Sequence, residues 1–218
     1  MKWFSSLDNR TGIGRDYPPV DLPEWPPRGP IKVVKTWPNY TNIVDSVSKY
    51  PLVNLPWSYP IYSNTGMSML GLANVAANKL ASAKPDTEPQ SHEELLKRDI
   101  FGPLGLTGSF FSIPDSSSKS RIAVPKQNSE WADFSIGDAF DPAGGQYSSL
   151  ADLELVMQTL LSPSARGGVI SANVVREWLR PLHVWGATKQ EVGAPWEIIN
   201  IDNKVQAYTK GTCTLIAL

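Results

Sequence analysis

After Asn64 apolar residues recur at spacings of three and four. Met69, Leu72, Ala73, Ala76 and Leu80 fall on one helical face, with Asn64 or Thr65 placed to cap the first turn. Such a helix puts Tyr62 and Asn64 on the loop at its N-terminus. A second helix opens with the capping-box pattern Ser91-His-Glu-Glu94 and is expected to stop at Gly102-Pro103. A third starts at Ser149-Leu-Ala-Asp152 and turns Leu153, Val156, Met157 and Leu160 inward. A fourth runs from a Ser171 cap to Leu179 and is ended by Pro181. In the last quarter Trp196-Glu-Ile-Ile-Asn-Ile201 and Val205-Gln-Ala-Tyr-Thr209 flank the turn-forming pair Asp202-Asn203, which predicts a hairpin.

The first quarter reads differently. Ten of the 19 prolines lie between positions 18 and 60, which excludes a run of long helices or central strands there. Trp25, Trp37 and Trp57 lie in the same stretch, and aromatics argue for a packed loop layer over a disordered linker. Within it Thr41 to Lys49 can make one short helix with Ile43, Val44 and Val47 on one face. The expectation is a partial α+β domain: a loop layer over 1–63, a helical region over 64–181 and sheet strands over 182–218. Its sheet is expected to consist of the segment from Glu197 to Thr212, too few strands to stand alone.

Composition narrows the chemistry. The 218 residues are 41% hydrophobic and 19% charged, the balance of a chain that buries a core. Twenty basic against 21 acidic residues, with no basic run, argue against a nucleic-acid partner. One cysteine and two histidines leave no disulfide framework, no Cys-based zinc cluster and few ligands for a catalytic metal, so no cofactor or metal is expected. No apolar run approaches the roughly 20 residues of a membrane helix, so no membrane partner is expected. The first residues lack a signal-peptide pattern, and the sequons Asn9-Arg-Thr11 and Asn39-Tyr-Thr41 leave secreted and cytoplasmic locations both open. His92 reads as a solvated first-turn residue and His183 as a packing or loop histidine.

Four segments occur in one order: Tyr62-Ser-Asn64 leading into a helix, Phe101-Gly-Pro-Leu-Gly-Leu-Thr-Gly-Ser-Phe110, Pro142-Ala-Gly-Gly-Gln-Tyr-Ser-Ser-Leu-Ala-Asp152, and Tyr208-Thr-Lys-Gly-Thr212. Together they resemble the serine β-lactamase and penicillin-binding-protein superfamily in its class C and esterase-like branch. The resemblance extends from about Thr11-Gly-Ile-Gly-Arg-Asp-Tyr-Pro-Pro19 to Lys210, and the wording around Tyr17 and Tyr62 is similar to fungal members, many of them near secondary-metabolite pathways. It implies the β-lactamase/transpeptidase-like fold and a small acyl substrate, an ester, lactone or amide, cleaved through an acyl-enzyme. By resemblance Tyr62 is the proton relay, with its phenol partly ionised by neighbouring lysines. Asn64 meets the substrate amide or a lysine, and Lys210 lowers the Tyr62 pKa and attracts a substrate carboxylate. The Cys213 backbone N–H is half of an oxyanion hole, and Thr212 lies along the substrate strand where the family has glycine.

The family's nucleophile is a Ser-x-x-Lys on a helix ahead of the tyrosine. Two matches occur, Ser46-Val-Ser-Lys49 and Ser116-Ser-Ser-Lys119, and about one is expected by chance from 22 serines and 12 lysines. Ser116 follows Tyr62, the wrong order, and reads as part of a polar loop; Ser46 lies in the Pro-rich stretch only 16 residues before Tyr62. The expectation is therefore a chain incomplete at both ends that begins after the nucleophile helix. The competing reading is a catalytically inactive remnant or binding module.

Overall fold

The computed structural model describes residues 11–16, 37–123, 135–163, 169–185, 190–201 and 205–209. Among these residues the elements run α1 (Tyr40–Lys49), α2 (Asn64–Ala81), a 3-10 turn (Pro85–Thr87) and α3 (His92–Leu96). A π turn (Lys97–Phe101) carries α3 into α4 (Gly102–Leu104). Then come α5 (Ser116–Lys119), α6 (Asp141–Gly144), α7 (Leu150–Leu161) and α8 (Ala172–Trp178). Strands β1 (His183–Trp185), β2 (Gln190–Val192), β3 (Glu197–Ile201) and β4 (Val205–Thr209) close the order. The α+β class is as expected.

Asn39 caps α1, and serines cap α2, α3, α7 and α8. Asn39 closes a full capping box on α1, accepting from the Asn42 amide while Asn42 accepts from its own. Ser91 caps α3 by accepting from the Glu94 amide, but the Glu94 carboxylate reaches back to Gln90 instead of Ser91, so the predicted box is half formed. Pro103 does not end that helix. The π turn before it absorbs the missing donor, and the stop comes at Gly105, left-handed at φ 69°. There the Leu106 and Gly105 amides bond the Phe101 and Gly102 carbonyls in a Schellman closure.

The strands form one antiparallel sheet in the order β1-β2-β3-β4. The predicted hairpin is β3-β4, with Glu197 opposite Thr209 and Ile201 opposite Val205. The expectation that this hairpin is the whole sheet is corrected: β1 and β2 add to its other side, His183 facing Val192 and Gln190 facing Ile199. Each is three residues long, too short for a two-residue period to register. Alternation is clear on β3, where Ile198 is buried and its neighbour Ile199 is exposed.

Two apolar clusters hold the helices. Ile43 of α1, Ala139 and Phe140 pack with Trp37, Tyr40 and Met69. Phe101, Leu106 and Phe111 pack with Leu96, Leu155 and Val156, tying the α3–α4 segment to α7. The inward faces of two helices differ from expectation. On α2 the buried residues are Thr65, Gly66, Ser68, Leu70, Gly71 and Val75, whereas Leu80 is 87% exposed. Gly71 sits so close to α6 that a Cβ would overlap Pro142. A helix that needs small residues for close approach hides its buried face from an apolar count. On α7 the buried face carries Asp152, Thr159 and Leu160, while Leu150, Leu153, Met157 and Leu161 lie on the outside.

Candidate active site

The Tyr62 loop is built by its neighbours. Ser63, not Asn64 or Thr65, caps α2: its Oγ accepts from the Gly66 amide at 2.8 Å and donates to the Gly14 carbonyl at 2.9 Å. Asn64 becomes the first helical residue. The Thr65 amide and hydroxyl both donate to the Arg15 carbonyl, at 3.1 and 3.4 Å. Residues 11–16 therefore lie as a strap against the start of α2. Its far end is fixed by Gly12, whose backbone at φ 76° lets the Val53 amide donate to the Gly12 carbonyl at 2.9 Å. A Cβ on Gly12 would run into the Asn54 carbonyl.

On this support two of the predicted site residues come together. Tyr62 is 41% exposed, with its ring under the Arg15 guanidinium at 5.4 Å from the ring centroid. Asn64 donates from Nδ2 to Asp16 Oδ1 at 2.8 Å, and Arg15 Nε lies 3.5 Å from the other Asp16 oxygen. Lys210, Thr212 and Cys213 lie outside the described residues, as do Tyr17 and Trp25. The sequence reading assigned no role to Arg15 or Asp16. The available signal was their place in Thr11-Gly-Ile-Gly-Arg-Asp16, one of the segments that carry the resemblance.

The two Ser-x-x-Lys matches fall elsewhere. Ser46 is buried on α1, and with Lys49, Trp37 and Asn42 it lines a polar hollow of about 530 Å3 whose lining includes neither Tyr62 nor Asn64. Ser116 is not in an open loop: it begins the single-turn α5, capped by Asp115. Hydrogen bonds from the Ser117 hydroxyl and the Ser118 amide hold the Asp115 carboxyl below its ordinary range.

A larger cavity of about 1130 Å3 opens beside Met67, five residues beyond Tyr62, and is lined by His92, Phe111, Pro142, Trp178 and Pro195. His92 is not the solvated residue expected. Its ring stands edge-on to Phe111 at 5.5 Å, burial lowers its pKa, and Nδ1 is buried with no hydrogen-bond partner among the described residues. The first turn of α3 packs under Gly71 and α6, which explains the burial. Asp141 lines the same cavity, and burial, then Asp138 and Glu93, push its carboxyl up to about 6.

Tyr62 and Asn64 thus stand at the start of one helix, in a helical region that precedes a four-stranded antiparallel sheet. Residues 13–210 match the Beta-lactamase family model, and the chain belongs to that family. It is 37% identical over 126 residues to the β-lactamase-like protein str6 of Strobilurus tenacellus, an alignment over 56% of this chain and 41% of that protein. It is 26% identical over 192 residues to a β-lactamase-like protein of Arthroderma benhamiae, over 88% of this chain and 29% of the relative. The chain thus spans less than half the length of either relative. Among solved structures, D-amino acid amidase from Ochrobactrum anthropi superposes with a TM-score of 0.66 at 16% identity, over 96% of this chain and 57% of that one. A class C β-lactamase from Rhodobacter sphaeroides gives 0.61 at 16%, over 89% and 47%. These likenesses establish the β-lactamase/transpeptidase-like fold.

Proposed function

We propose that this chain carries the proton-relay side of a β-lactamase-like hydrolase or acyltransferase that cleaves an ester, lactone or amide through an acyl-enzyme. Tyr62 takes the proton from the attacking serine and returns it to the leaving group, while Asn64 holds the acyl substrate. Lys210 supplies positive charge beside the phenol, Thr212 borders the acyl group and the Cys213 amide donates to the oxyanion. The observation that carries the reading is the pairing of an exposed Tyr62 with an anchored Asn64 at one helix start. The two curated relatives are from fungi, which is in keeping with the small acyl substrate of fungal secondary metabolism that we propose.

The test is incubation of the 218-residue chain with a fluorophosphonate or a fluorescent penicillin, followed by peptide mapping, with Tyr62→Phe alongside. As neither Ser-x-x-Lys match is read as the nucleophile, the 218-residue chain is expected to stay unlabelled. A labelled serine whose labelling drops at least roughly a hundredfold in the variant, the low end of what positioned acid–base catalysis supplies, would show that the chain holds its own nucleophile. Equal labelling in both proteins removes Tyr62 from the chemistry. A second reading, a binding module without turnover, is favoured by the seat of Ser46 in a separate hollow. Reversible penicillin binding of equal strength in the chain and in Tyr62→Phe, with no labelled serine in either, would establish it.

A further inference from the structure

We propose that Arg15 and Asp16 are positioning residues for the site: Arg15 holds its charge against the Tyr62 ring and favours the ionised phenol, and Asp16 orients the Asn64 amide. The proposal rests on the reading of Tyr62 as proton relay.

The backbone sets the geometry. With the Ser63 hydroxyl on the Gly14 carbonyl and the Thr65 amide on the Arg15 carbonyl, the strap and the Tyr62 loop are fixed at two adjacent points. The side chains of Arg15 and Asp16 then flank positions 62 and 64. The guanidinium stands 5.4 Å from the Tyr62 centroid, inside the roughly 6 Å over which a cation is attracted to an aromatic face. Arginine stays charged throughout the working pH range, so its field acts on the phenol at every pH at which the phenol titrates. A nearby positive charge lowers the free energy of the phenolate more than that of the phenol.

Asp16 acts on both partners. A carboxylate only accepts hydrogen bonds, so the 2.8 Å contact from Asn64 must come from its amide nitrogen. The carbonyl oxygen of Asn64 is then directed away from Asp16 as the acceptor available to a donor, an amide N–H or an ammonium. The second Asp16 oxygen, 3.5 Å from Arg15 Nε, keeps the guanidinium from swinging off the ring. Asp16 also opposes Arg15 in sign, but its charge is shared between Asn64 and Arg15, whereas Arg15 lies over the ring itself. Lys210, lying beyond the described residues, is a separate source of positive charge that the Arg15 and Asp16 variants below leave in place.

The experiment uses the full 218-residue chain with 3-fluorotyrosine installed at position 62 and follows its fluorine resonance through a pH titration. Arg15→Gln is expected to move the midpoint upward, and Arg15→Lys to restore most of the original value. An unmoved midpoint in Arg15→Gln, with an unchanged circular dichroism spectrum, would overturn the role of Arg15. If Arg15→Gln does not fold, the unmutated chain is titrated at about 0.01 and about 1 M salt, where the Debye length falls from ~30 to ~3 Å. A higher midpoint at high salt that persists in Lys210→Gln supports the charge effect of Arg15, and a midpoint that salt leaves unmoved refutes it. For Asp16, the side-chain amide pair of Asn64 is expected to shift and to exchange faster with solvent in Asp16→Ala; an unchanged pair refutes the orienting role. Neither readout needs substrate or a nucleophile, so their failure leaves the acyl-enzyme reading to be decided by serine labelling alone.

Discussion

Asp152 is a carboxylate only 3% exposed, satisfied by the Gly108 amide at 2.9 Å and the Ser109 hydroxyl at 2.7 Å. It pins the loop after α4 to the first turn of α7. Replacing it with alanine leaves the part-buried Gly108 amide without its acceptor and the buried Ser109 hydroxyl with Ser148 Oγ alone, and urea unfolding should show a loss of about 1 to 2 kcal/mol. Asp152→Asn, which keeps one acceptor oxygen, should lose less. Gly71→Ala pushes a methyl into Pro142, and the same measurement should register about 1 to 3 kcal/mol of overpacking. Neither role could be read locally: the sequence marks Asp152 as a first-turn acid and Gly71 as a weak helix residue. What makes each essential is a partner more than 40 residues away for Asp152 and about 70 for Gly71.

At the scale of elements, α7 shows where pattern reading goes astray. Leucines occur on both sides of it, and the Asp152 hydrogen bonds to Gly108 and Ser109 decide which side turns inward. The outer side then carries Leu150, Leu153, Met157 and Leu161, spaced as one stripe and 44 to 83% exposed. Such a stripe favours self-association. The double variant Leu153→Glu with Met157→Glu should lower light scattering at high concentration while changing stability by no more than about 0.5 kcal/mol, since neither side chain is in the core. A melting curve displaced far beyond that would mean the stripe is covered. The starts of α7 and α8 at Ser149 and Ser171 and the pairing of β3 with β4 were legible because caps and hairpins are local chemistry, while the expected turn at Asp202-Asn203 lies outside the described residues. The inward faces of α2 and α7 and the short strands β1 and β2 were not, because they depend on what packs against them.

The whole molecule should respond to pH through two groups that share a cavity. The Asp141 carboxyl, pushed up to about 6 from an unfolded value near ~3.9, binds its proton more tightly folded than unfolded. Its penalty is therefore absent below about pH 4, grows as pH rises towards 6 and is complete above that. Asp141→Asn should raise the melting temperature at pH 7.5 and leave it nearly unchanged at pH 4. His92 works in the other direction: burial disfavours its charged form, so stability is lost as pH falls below the ordinary histidine value of ~6.5. His92→Gln should flatten that acid loss in calorimetric scans between pH 7 and 5, and a loss as steep as in the parent chain would exclude His92 as its source.

By themselves the residues determined the α+β class, the caps at Ser91, Ser149 and Ser171 and the family resemblance through Tyr62-Ser-Asn64 and its companion segments. These rest on interactions within a few positions of one another, where spacing is enough. Only the tertiary structure decided that residues 11–16 return to the start of α2, that Arg15 and Asp16 face Tyr62 and Asn64, and that His92 and Asp141 meet a common cavity. Each of those contacts closes a loop of nearly 50 residues, and no local periodicity records which distant backbone carbonyl a serine hydroxyl will find.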